Sequence, residues 1–62
     1  MNSTELLRWA NALQARANGL RSSGNTMHEI NFNRQQAVRI EQRARQLRDQ
    51  AERAARQEQG AR

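Results

Sequence analysis

The chain contains no cysteine, proline, tyrosine or lysine, and Trp9 and Phe32 are its only aromatic residues. Without cysteine there is no disulfide. The single histidine, His28, lacks the companion ligands that a structural zinc site requires. With one histidine and carboxylates scattered among arginines, no nucleophile and base pair is visible, so a non-enzymatic protein without metal or cofactor is expected. Ser22 and Ser23 read as turn residues. No stretch approaches the ~20 apolar residues of a membrane span. The opening MNSTELLRWANAL lacks a basic segment followed by an apolar core, so action in a cytoplasm is expected.

What remains is short, polar and basic. A single core in a 62-residue chain seldom supplies more than roughly 3–5 kcal/mol, and with disulfides and metals excluded the remaining source of stability is oligomerisation. The basic residues number eleven, all arginine, against six acids, for a formal charge of +5 and a pI near 11.8. That balance permits nucleic-acid binding without establishing it. Arginine in place of lysine is equally what a high-GC genome encodes, and composition does not separate the two explanations.

The apolar residues follow a heptad seam in two runs. Leu6, Ala10, Leu13, Ala17 and Leu20 form the first; Ile30, Asn33, Ala37, Ile40, Ala44, Leu47, Ala51 and Ala54 form the second. Ala10, Ala17, Ala37, Ala44 and Ala51 share one seam position (a), and Leu6, Leu13, Leu20, Ile40 and Leu47 the other (d). Alanine at a lets antiparallel helices approach closely while the larger residues fill the layers, as in a four-helix bundle. Two helices alone leave one flank of such a seam open. The expected fold is therefore an all-α antiparallel helical hairpin that dimerises into a four-helix bundle, with Leu6, Ala10, Leu13, Ala17, Leu20, Ile30, Ala37, Ile40, Ala44 and Leu47 as the dimer core.

Local signals set the boundaries of a single hairpin over residues 1–62: helix one about 3–22, a turn at 22–26, and helix two about 27–58 with a frayed C-terminus. Asn2 or Ser3 can cap helix one, with Glu5 at the capping-box position. Thr26 and Glu29 form a capping box for helix two, and Gly24 suits the left-handed residue after a helix end. Gly19 costs about 1 kcal/mol relative to alanine, so the last turn of helix one is expected to fray or stop early. Helix two is the longer, which predicts a C-terminal overhang beyond about Asp49. Glu41, Arg45, Asp49 and Arg53 are spaced as an i, i+4 ladder, with Glu52 and Arg56 a further pair.

Large apolar residues remain outside the seam: Leu7, Trp9, Met27, Phe32 and Val38. They either broaden the core or stay exposed as an aromatic anchor rimmed by Arg8, Arg34 and Arg39, a composition suited to an acidic protein partner. Candidate partner-binding residues are thus Leu7, Arg8, Trp9, Phe32, Arg34, Val38 and Arg39. Asn33, alone among aliphatics, is expected to fix register by pairing across the bundle, or else to contact a partner. The alternative is nucleic-acid binding along helix two by Arg43, Gln46, Arg48, Arg53 and Arg56, with Gln42 and Gln50 beside them. Asp49 and Glu52 interrupt that set, and the arginines fall on several sides.

The hairpin layout with alanine at a and leucine at d resembles the plasmid copy-number protein Rop in architecture, which implies a dimeric bundle and RNA binding. No RNA-contacting motif of that protein can be placed here. The opening NSTELLRWANAL, the turn SSGNT, the segment MHEINFNR and the arginine-rich, lysine-free tail resemble small early proteins of Pseudomonas temperate phages, including a quorum-sensing anti-activator. That resemblance implies a phage- or mobile-element-encoded inhibitor that binds and disables a bacterial host regulator such as a LuxR-type transcription activator. Fold alone does not license the inference.

Overall fold

The computed structural model describes residues 1–60. It consists of two helices, α1 (Ser3–Arg21) and α2 (Met27–Gly60), packed against each other in antiparallel sense. The result is a rod of 55 × 13 × 12 Å.

Asn2 caps α1, its side-chain oxygen accepting from the Glu5 backbone N–H at 2.9 Å. The carboxylate of Glu5 lies in the first turn, where the helix dipole favours it. Gly19 does not shorten the helix as expected. The Ser22 hydroxyl donates to the Asn18 carbonyl at 2.7 Å and the Ser23 hydroxyl to the Gly19 carbonyl at 2.9 Å, so two of the last-turn acceptors are satisfied and α1 continues to Arg21. Gly24 has φ 112°, but it lies two residues beyond the cap Ser22 rather than next to the helix end. A Cβ there would stand 3.2 Å from Ile30 Cγ1, so both backbone sign and space call for glycine.

At the start of α2 the Thr26 hydroxyl accepts from the Glu29 N–H at 3.1 Å. The reciprocal bond is shifted by one residue: the Glu29 carboxylate takes the N–H of Asn25 at 3.0 Å, not that of Thr26. Asn33 is also drawn into the connection. Its amide donates to the Ser23 carbonyl at 3.2 Å, so the donor expected to pair across a bundle is used within the chain.

The expected overhang is at the other end. Ser3 bonds to Glu58, so the C-terminal turns of α2 lie beside the start of α1, and Ala51 is buried in the cluster with Leu6. Residues beyond Asp49 therefore do not fray but continue as helix to Gly60. At the turn end Arg21 pairs with Glu41, which leaves roughly two turns of α2 beyond the end of α1. Residues 22–26 run back along them, as the Ser23–Asn33 bond and the approach of Gly24 to Ile30 mark. The longer helix is accommodated by an extended connection, because that connection finds backbone partners on the projecting turns.

Between the helices the alanines form the line of closest approach. Ala10, Ala17, Ala37 and Ala44 are fully covered and Ala51 nearly so. Leu47 is the one large side chain that is completely buried. The interface centres on position a; of the d residues Leu6 and Leu47 are buried with it, whereas Leu13, Leu20 and Ile40 stand to one side and are only half-buried. A core of two leucines and five alanines tolerates little loss. Leu47→Ala is expected to cost about 2–5 kcal/mol, and Ala44→Leu, which forces the helices apart, about 1–3 kcal/mol. Urea unfolding followed by far-UV circular dichroism measures both.

Candidate interaction surfaces

Two edges border the helix contact. On the first edge Gln14 and Arg21 of α1 meet Glu41 of α2. The Gln14 amide donates to the carboxylate at 3.1 Å, and the Arg21 guanidinium binds it through Nε at 3.3 Å and through Nη2. Glu41 thus turns across the hairpin and leaves the i, i+4 ladder. Only Asp49–Arg53 at 3.1 Å and Glu52–Arg56 at 2.7 Å form as expected along α2.

The second edge carries Trp9, whose ring centroid lies 5.4 Å from the guanidinium carbon of Arg43, within range of a cation–π contact. Trp9 falls three residues after Leu6 and four before Leu13, on the side of α1 where the half-buried d residues stand. Trp9, Leu13, Leu20 and Ile40 therefore make one open apolar face of the hairpin, with Trp9 still 40% exposed.

The seven candidate partner-binding residues are all exposed, but they do not form one patch. Leu7, Arg8 and Trp9 sit near the Ser3–Glu58 end, whereas Phe32, Arg34, Val38 and Arg39 occupy the half of α2 nearer the connection. The centres of the two groups are roughly 20 Å apart along the rod at 1.5 Å per residue. The cation that the structure sets against Trp9 is Arg43, not Arg8, Arg34 or Arg39. Near the connection end, Phe32 is 56% exposed and Met27 69%.

Of the five candidate nucleic-acid residues, Arg43 and Gln46 belong together, joined by a bond of 3.4 Å. Arg53 and Arg56 are engaged by Asp49 and Glu52. Arg48, seven residues after Glu41, lies on the opposite edge. Sequence reasoning missed the Gln14–Arg21–Glu41 cluster, the Ser3–Glu58 clamp and the Arg43–Trp9 contact. The heptad neighbours of the seam held the signal for the first and third: residues 14, 21 and 41 share the position after d, and residues 9 and 43 the position before a. Among the described residues no group of histidines and carboxylates is gathered to hold a metal, and no helix is long and apolar enough to cross a membrane.

Two carboxylates titrate differently in the folded chain. The Arg21 guanidinium, and after it the Gln14 amide, hold Glu41 below its usual range against the opposing effect of burial, and Arg21 is pushed up in return. Glu58 is lowered by the backbone N–H of Ser3, at 3.1 Å, and then by its hydroxyl, at 2.8 Å. A carboxylate depressed by folding adds stability above its unfolded value, about 4.3 for glutamate, and loses it as pH falls through the folded value. The melting temperature should thus decline on acidification below about pH 5. Glu41→Gln and Glu58→Gln should each flatten that decline, as thermal melts across the acid range will report.

Comparison of the chain with protein families, with curated proteins and with solved structures finds no match to any of them.

Proposed function

We propose that the chain is a non-enzymatic binding protein that works as a homodimer and disables a bacterial host regulator by docking on it. The observation that carries the reading is the open face of Trp9, Leu13, Leu20 and Ile40 on a hairpin whose own core holds two leucines and five alanines. A chain this small gains most of its missing burial by covering that face with a second copy. Two hairpins joined there make an antiparallel four-helix bundle of the kind the alternating small and large seam favours.

With Trp9 assigned to the bundle, partner docking falls to the connection-side half of α2. Phe32 and Val38 are the apolar contacts there and Arg34 and Arg39 the cations, an aromatic and arginine combination that dominates interface energetics. The class of partner, a transcription regulator such as a LuxR-type activator, comes from the resemblance of the opening, the turn and the MHEINFNR segment to small early phage proteins.

Leu13→Glu and Ile40→Glu are expected to convert the dimer to a less stable monomer, read by sedimentation equilibrium; a wild-type chain that stays monomeric at high micromolar concentration overturns the bundle. Phe32→Ala with Val38→Ala should leave the dimer folded and weaken capture of a stoichiometric host protein at least tenfold. A nuclease-treated pull-down quantified by mass spectrometry makes that comparison, and full retention of the captured protein by the double variant defeats the docking surface.

A further inference from the structure

One stripe of α2 is built differently from every other polar surface of the hairpin. Gln36, Arg39, Arg43, Gln46, Gln50, Arg53 and Gln57 follow one another at alternating steps of three and four, which aligns them along one side of the helix. Every member is arginine or glutamine, and no acid interrupts the series. It spans roughly 30 Å at 1.5 Å per residue. The Arg43–Trp9 contact orients the stripe: it borders the Trp9 edge, away from the Gln14–Arg21–Glu41 cluster. Arg16, seven residues after Trp9, adds a cation on the same side of α1.

A solvated helix face ordinarily intersperses both signs of charge, and the rest of this chain does so. Glu52 answers Arg56 and Glu41 answers Arg21, whereas within the stripe Arg53 alone is paired with an acid, Asp49. Arg16, Arg39 and Arg43 make no ion pair among the described residues, and Gln36 is half-buried at the border of the apolar face. Arg8, Arg34, Arg45 and Arg48 are unpaired as well, but they are dispersed over other sides of the rod, whereas Arg16, Arg39 and Arg43 lie together on this flank.

The stripe also lacks what a protein interface needs. Between Gln36 and Gln57 it has no apolar side chain to form a desolvated centre; Phe32 lies one turn before Gln36, at the end of the stripe. Evenly spaced guanidinium groups separated by amides suit a different partner: a regular polyanion that is recognised through wet, polar contacts. Arginine forks bind phosphate oxygens bidentately, and glutamine both donates and accepts at sugars, phosphates and base edges.

We infer that the Gln36-to-Gln57 stripe is a nucleic-acid-binding site that grips the phosphate backbone through Arg39 and Arg43, assisted by Arg16, with the glutamines bonding between them. It shares Arg39 with the proposed Phe32 and Val38 docking surface but needs no protein partner. Arg39 and Gln46 lie farther round the helix from the apolar seam than Arg43, so they stay accessible when a second hairpin covers Trp9 and Leu13, with Arg43 at the rim of that contact. Duplex DNA and structured RNA present the same phosphodiester chemistry, and the assay separates them.

Fluorescence anisotropy of the purified full chain with a labelled DNA duplex and a labelled RNA hairpin tests the site without any protein partner present. Binding at about 50 mM salt is expected, with log K falling against log salt at a slope of about −3 per hairpin for three phosphate contacts. Arg39→Gln with Arg43→Gln should lower affinity at least tenfold and reduce the slope by about 2. Arg45→Gln with Arg48→Gln removes the same net charge from outside the stripe and should cost less than threefold. Circular dichroism melts confirm that both double variants fold. A higher affinity for the duplex or for the hairpin names the natural nucleic acid. Equal losses in the two double variants would reduce the effect to bulk charge and overturn the site. So would no binding to either probe, or equal binding to polyglutamate of matched length.

Discussion

The close approach of two helices along a line of alanines is the constraint from which the rest of this structure follows. Ala10, Ala17, Ala37, Ala44 and Ala51 carry only a methyl group each, and all are covered by the partner helix. Short side chains allow the helix axes to come together, which brings the next ring of residues into reach: Gln14 and Arg21 onto Glu41 on one edge, Trp9 onto Arg43 on the other. The same closeness pushes the leucines and isoleucines aside. Leu6 and Leu47 are still covered, but Leu13, Leu20 and Ile40 stand half-covered on a single face. The open face is thus a consequence of the alanine line, because small residues at the centre require large ones at the margin.

Polar contacts fix where along the line the helices meet. Alanine methyl groups at seven-residue intervals permit neighbouring registers with similar burial, and a non-directional driving force does not choose among them. The Ser3–Glu58 clamp and the Glu41 cluster pin the two helices near opposite ends of their contact, and the Ser23–Asn33 bond holds the connection against the projecting turns of α2. All three are exposed or half-exposed. Each adds modest stability, since solvent screens it, but together they distinguish this register from one shifted by a heptad.

The surface divides by chemistry. The apolar margin faces one way; the acids and their arginine partners occupy the outer side and the Glu41 edge; the arginine and glutamine stripe occupies the flank beside Trp9. The proposed dimer uses the apolar face, whereas the proposed protein partner and the inferred nucleic-acid site share Arg39 and so compete for part of α2.

Periodicity alone determined the helical hairpin, because alanine, leucine and isoleucine at steps of three and four have one low-energy arrangement, in which the two stripes face each other. Caps at Asn2 and Thr26 and the left-handed Gly24 were equally legible, since each is a local backbone requirement that a residue type meets. The arginine and glutamine stripe is present in the same spacing, but spacing alone does not say which side of helix two borders Trp9 and which borders Glu41. What only the tertiary structure decided was long-range. It moved the overhang to the connection end, gave Glu41 to Arg21 rather than to Arg45, bound Asn33 to Ser23, and split the aromatic residues between two ends of the rod. These outcomes depend on the relative register of two helices. Register is set by contacts between residues as far apart as Ser3 and Glu58, which no local pattern encodes.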